Sequence, residues 1–110
     1  MTLSTHVLDT SKGTPACGVS LRLLQGEAVL FSGETDSDGR CPDLRGLSLG
    51  TGRYRLEFAV AEYFRKCGVK LPDPPFLDVI PIDFGIGDAE AHYHVPLLLS
   101  PYGYSTYRGS

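Results

Sequence analysis

Apolar and polar residues alternate along much of the chain. Between residues 53 and 60, Tyr54, Leu56, Phe58 and Val60 fall on one face and Arg53, Arg55 and Glu57 on the other. This is the two-residue period of a half-buried strand. Shorter runs of the same kind predict strands over residues 3–8, 19–24 and 28–34. The last two flank Gln25, Gly26 and Glu27, a hairpin turn in which glycine takes positive φ at little cost, so the sheet is expected to begin antiparallel.

The pattern changes at residues 36–52, where Asp, Gly, Pro and Ser replace the alternation. That stretch is expected to be loop, with one short edge strand near Leu44. Residues 61–67 predict the one helix of the chain, roughly two turns long, because Tyr63, Phe64 and Cys67 fall at helical spacing and Gly68 can supply a left-handed end. After a Pro-rich link at residues 71–75, an apolar strand is expected over residues 76–84. Pro81 cannot donate to a ladder, which puts this strand at a sheet edge or on a bulge. Two further strands are expected, over residues 90–99 and from Tyr104 to Ser110, joined by Ser100, Pro101, Tyr102 and Gly103. Roughly seven or eight short strands with frequent turns and a single helix predict an all-β antiparallel sandwich.

Composition narrows the function classes. A chain of 110 residues suits one domain over residues 1–110, and its 42% apolar content, 21% charged content and net charge of -3 lack the basic excess of a nucleic-acid binder. No apolar run approaches the length of a membrane span, and the opening residues lack the basic and apolar regions of a signal peptide, so a cytoplasmic protein is expected. Cys17, Cys41 and Cys67 are widely spaced and form no Cys-x-x-Cys pair. They are expected to be small buried or half-buried thiols in a reducing compartment.

The candidate chemistry lies in the strands and at the end of the chain. His6 falls in the first strand, and His92 and His94 in the penultimate one, where residues two apart share a face. His92, His94, Pro96 and Leu98 therefore lie opposite Tyr93, Val95 and Leu97. If the latter set is the core, a mixed outer face of His, Pro and Leu suggests burial against another subunit. His-x-His also permits a metal site with His6 or a carboxylate as third ligand, although no Cys or Glu stands at ligand spacing. Asp38 and Gly39 favour a tight turn that projects Arg40. The final run from Tyr104 to Ser110 gathers rings, hydroxyls and a guanidinium suited to recognition.

Four segments together resemble a known family. They are Ser4, Thr5, His6, Val7, Leu8, Asp9, Thr10 with Gly13, Pro15 and Ala16; Thr35 to Arg40; His92 to Pro101; and Tyr104 to Ser110. In order and spacing they are similar to the signature segments of the 5-hydroxyisourate hydrolases, the transthyretin-related enzymes of purine breakdown. The resemblance implies a transthyretin-like sandwich assembled as a homotetramer, a dimer of dimers, with clefts at the dimer-to-dimer interface. It implies a small-molecule substrate, 5-hydroxyisourate, and neither cofactor nor metal. It carries active-site roles to His6, Arg40, His94 and Ser110, with Tyr107, Arg108 and Gly109 helping to shape and bind in the substrate cavity. No catalytic role carries to His92, for which a structural hydrogen bond is expected. The related hormone carriers have lysine at the position matching His6 and lack the Tyr-Arg-Gly-Ser ending, so this chain has the enzymatic residues at both places. A small-ligand carrier and a His-based metal-binding protein are the alternatives.

Overall fold

The computed structural model describes residues 2–110. Its strands are β1 (Thr2–Asp9), β2 (Thr14–Pro15), β3 (Ser20–Gln25), β4 (Ala28–Glu34), β5 (Gly52–Ala59), β6 (Val79–Ile86), β7 (His92–Ser100) and β8 (Gly103–Thr106). They form two four-stranded sheets, ordered β2-β1-β7-β8 and β4-β3-β5-β6. Alternation dictates the layering. Leu3 and Val7 of β1 and Tyr93, Val95, Leu97 and Leu99 of β7 meet Leu21, Leu23, Leu56, Phe58, Ile80 and Ile82 of the facing sheet in one buried core. The all-β sandwich of the sequence analysis is therefore present, and β6, which contains Pro81, lies at a sheet edge as expected.

One pairing departs from the antiparallel rule. β1 and β7 run parallel, with Thr2 opposite His92, Ser4 opposite His94 and His6 opposite Pro96. A parallel pair needs a long crossover, and here the whole of the second sheet supplies it.

The helix α1 (Val60–Lys66) begins directly after β5. It buries Val60, Ala61, Tyr63 and Phe64. The amides of Val60 and Ala61 donate to the Asp78 carbonyl, at 3.0 and 3.1 Å, tying the first turn to the entry of β6. Tyr63 also fixes the end of β1: its hydroxyl donates to Asp9 Oδ2 at 2.8 Å. Asp9 is fully buried. Burial alone would push its carboxyl up, but hydrogen bonds from Ser11, Tyr63 and the Lys12 amide outweigh it and hold the group below the ordinary carboxylate value. No helix among the described residues is long and apolar enough to cross a membrane.

Three local expectations are corrected. The segment near Leu44 is a 3₁₀ helix (Pro42–Gly46), not an edge strand; proline starts it and the wholly buried Leu44 plugs it into the core. The last strand stops at Thr106, and the residues after it are exposed apart from the half-buried Gly109. Cys41 is buried, whereas Cys17 and Cys67 are exposed.

Candidate active site

The parallel pairing of β1 and β7 assembles the site. Residues opposite one another in register point to the same face, so Thr2, Ser4 and His6 lie beside His92, His94 and Pro96 on the outside of their sheet. The two imidazole rings of β7 lie nearly parallel, 14° apart, with centroids separated by 6.4 Å.

Arg40 is brought to this face by the turn that precedes it. Asp36 Oδ1 accepts from the Asp38 and Arg40 amides at 2.9 and 3.0 Å, and the Asp36 amide donates to the Arg40 carbonyl at 2.7 Å. The Gly39 carbonyl then accepts from the Val7 amide at 2.8 Å, and Arg40 bridges to His6. This close crossing requires glycine: Gly39 has φ of +74°, and a Cβ there would lie 2.3 Å from the Val7 carbonyl oxygen. The tight turn expected from Asp38 and Gly39 thus sets Arg40 next to His6.

The chain end closes the other side. The Gly109 amide donates to the His94 carbonyl at 2.8 Å, in an isolated antiparallel bridge. The glycine lies flat against the imidazole, since a Cβ at Gly109 would come within 2.4 Å of His94 Cδ2. The structure thus groups His6, Arg40, His94 and Gly109, with the exposed Ser110 directly following. Tyr107 and Arg108 turn elsewhere. The Arg108 guanidinium stacks 4.3 Å over the Tyr93 ring and donates to the His92 carbonyl at 3.3 Å. Together with Tyr107, Tyr93, Val95, Ile82 and Phe84 it lines a hollow of about 390 Å³ on the core side of β7.

The electrostatics of the face are one-sided. The ion pairs found among the described residues lie on β3, β5, β6 and α1 and leave Arg40 out. Burial, followed by the charges of Arg40, His92, His6 and Arg45, pushes the His94 imidazole below its ordinary value. This shift favours the neutral imidazole, whose lone pair is available as a base. Among the described residues, no three His, Cys, Asp or Glu side chains are grouped so as to hold a metal ion.

Two participants were missed from sequence. Arg45, exposed on the 3₁₀ helix, contributes the smallest of the charges felt at His94. Ser4 stands between both imidazoles of β7, its Oγ 2.7 Å from His94 Nδ1 and 3.1 Å from His92 Nε2. Nothing in the local pattern marks either residue; only the strand pairing reveals Ser4.

The chain and its overall fold are similar to those of known proteins. The sequence matches the family model described as "HIUase/Transthyretin family" over residues 3–109. It is 56% identical to "5-hydroxyisourate hydrolase 2" of Rhizobium meliloti, over 98% of this chain and 95% of that one. Among solved structures, Klebsiella pneumoniae 5-hydroxyisourate hydrolase is 40% identical, with a TM-score of 0.88 and 100% of both chains covered. Sea bream transthyretin, solved in complex with thyroxine, is 32% identical with a TM-score of 0.86, covering 99% of this chain and 95% of its own. The sandwich is thus shared by a 5-hydroxyisourate hydrolase and a transthyretin, and this chain belongs to the HIUase/Transthyretin family.

Proposed function

We infer that this chain is a 5-hydroxyisourate hydrolase, opening the six-membered ring of its substrate to give 2-oxo-4-hydroxy-4-carboxy-5-ureidoimidazoline in purine breakdown. The observation that carries this reading is the gathering of His6, Arg40 and His94 on one face of the β1–β7 pair, where the described strand residues bring no Asp or Glu side chain beside them and burial and positive charge favour the neutral form of His94. The identity to named 5-hydroxyisourate hydrolases over nearly the whole chain supports the same reaction.

Water attacking a ring amide carbonyl must lose a proton as the new C–O bond forms. A neutral imidazole whose basicity matches the working pH suits that task, and His94 takes the proton with His6 beside it. The carbonyl oxygen gains negative charge as its π bond opens. Arg40, a permanent cation with planar donors and no carboxylate partner among the described residues, stabilises that charge. When the tetrahedral centre collapses and the C–N bond breaks, the imidazolium returns its proton to the departing nitrogen. Ser110 holds water or substrate through its hydroxyl and Gly109 borders the substrate; Tyr107 and Arg108 help to shape the cavity indirectly, because Arg108, stacked over Tyr93, fixes the chain end that carries Gly109 and Ser110. None of these steps calls for a redox cofactor.

A tetramer of two dimers belongs to the same proposal, because a face on which the partly exposed Leu98 adjoins Arg40 and the histidines suits closure over a polar ligand by a second copy. The proposal also places residues 1–110 in one domain and the enzyme in the cytoplasm. The test uses 5-hydroxyisourate freshly generated by urate oxidation, with its spontaneous decay subtracted. The protein is expected to speed disappearance well above background and to yield one enantiomer by circular dichroism. A background rate with racemic product rules the reading out.

A further inference from the structure

Behind His94, the outer face of β1 and β7 carries an ordered chain of hydrogen bonds through Ser4, His92 and Thr2, none of which the mechanism above uses. Thr2 Oγ1 contacts His92 Nδ1, His92 Nε2 lies 3.1 Å from Ser4 Oγ, and Ser4 Oγ lies 2.7 Å from His94 Nδ1. Ser4 is largely buried, with 7% of its surface exposed, so the two imidazoles are the partners its hydroxyl has in place of water.

The geometry points to Ser4 as the positioning residue that sets the tautomer of His94, an inference that rests on the reading of His94 as the base. A serine hydroxyl has one proton to give and lone pairs to accept with. Placed between two ring nitrogens, it satisfies both by accepting from one and donating to the other. The direction that serves hydrolysis has His94 Nδ1–H donating to Ser4 Oγ and Ser4 donating to His92 Nε2. His92 Nδ1–H then donates to Thr2, whose exposed hydroxyl can give its own proton to water. In that arrangement His94 Nε2 keeps its lone pair and can take a proton from water.

The bond also survives the reaction. His94 donates from Nδ1 whether neutral or protonated, so Ser4 need not turn as the base gains and loses its proton. Without such a partner, a neutral imidazole in water favours the Nε2–H tautomer, which has no lone pair at the atom required. His92 is thereby given a role that its spacing could not reveal: it accepts the Ser4 proton and fixes the direction of the chain.

The test pairs a spectroscopic readout with kinetics. Nitrogen-15 shifts and imidazole long-range couplings of His94 in the intact wild-type protein are expected to show the Nδ1–H tautomer, and Ser4→Ala is expected to move the population toward Nε2–H. Turnover is expected to follow, kcat falling about 10- to 100-fold, a share of the roughly 10²- to 10⁴-fold contributed by a general base, with KM little changed. Ser4→Thr keeps the hydroxyl and is expected to restore both signals. If the wild-type ring is Nε2–H, or if Ser4→Ala leaves tautomer and kcat as they were, the inference is overturned. The wild-type and Ser4→Thr measurements decide the matter even if Ser4→Ala does not fold. Because the tautomer is read without substrate, failure of the 5-hydroxyisourate assignment is distinguishable from failure of the Ser4 role.

Discussion

The two sheets share one core yet present opposite outer faces. On the β3, β5 and β6 side, charges are matched across the strands: Arg22 meets Glu57 at 2.5 Å and Arg55 meets Asp83 at 2.8 Å, each directly opposite its partner in register. These are cross-strand pairs that largely neutralise each other. On the β1 and β7 side, the same kind of pleated surface carries His6, His92, His94, Ser4 and, from the neighbouring turn, Arg40, with no carboxylate in the register to pair them. One face is electrostatically satisfied. The other is left with donors and a neutral base, the condition of a site made to receive a polar, electron-rich molecule.

Removing Arg40 should sharpen this contrast most. Arg40→Ala is expected to lower kcat for 5-hydroxyisourate by about 10²- to 10³-fold, the loss typical of a charge that stabilises a developing oxyanion. It should also move the acid limb of the pH–rate profile. In the wild type that limb should have its midpoint below the ordinary histidine value of 6.5, because burial and the charges of Arg40, His92, His6 and Arg45 disfavour the imidazolium. Losing one of those charges should raise the midpoint toward the ordinary value. The sign also governs stability: a depressed folded-state pKa makes the unfolded chain the better proton binder, so the contribution is intact above the ordinary value and lost as pH falls through the folded one. A limb that stays in place in Arg40→Ala would break the link between this guanidinium and His94.

A smaller loss is expected from Gly109→Ala. The added Cβ would lie 2.4 Å from His94 Cδ2, so either the ring or the chain end must shift. A displacement of this kind near a reacting group costs about 10- to 100-fold in rate. The expected signature is a fall in kcat with an unchanged thermal midpoint; wild-type kcat would show that the chain end does not position the ring.

The smallest effect belongs to the satisfied face. Arg55→Ala removes the guanidinium that bonds Asp83 from Nε and Nη2 at 2.8 and 3.1 Å, but the pair is exposed and solvent-screened. Denaturant titration should show little change in stability, and turnover should equal that of the wild type. A large loss of turnover would erase the distinction between the faces.

Legibility from sequence followed the range of the interactions. Residues 53–60 announced β5 to within one residue, because a half-buried strand writes its two faces directly into alternation. The end of α1 was equally local, since Gly68 takes φ of +82° as anticipated. At Leu44 the pattern failed: a single apolar plug held by a proline-initiated turn has no period to display. His6, Arg40 and His94 emerged only jointly, through resemblance, while Ser4 stayed hidden because its partners lie 88 and 90 residues away along the chain. The register that joins them depends on the parallel β1–β7 pairing, which no short window contains. The fate of Arg108, folded back over Tyr93, was likewise a matter of the tertiary path of the chain end.

The central claim is that the unpaired face is catalytic through His94. Its most direct test is the turnover of freshly generated 5-hydroxyisourate by His94→Asn, with spontaneous decay subtracted and Arg55→Ala measured alongside. The account predicts that His94→Asn falls by about 10²-fold or more, the contribution of a general base, while Arg55→Ala matches the wild type. A His94→Asn protein that turns over substrate at the wild-type rate would contradict it.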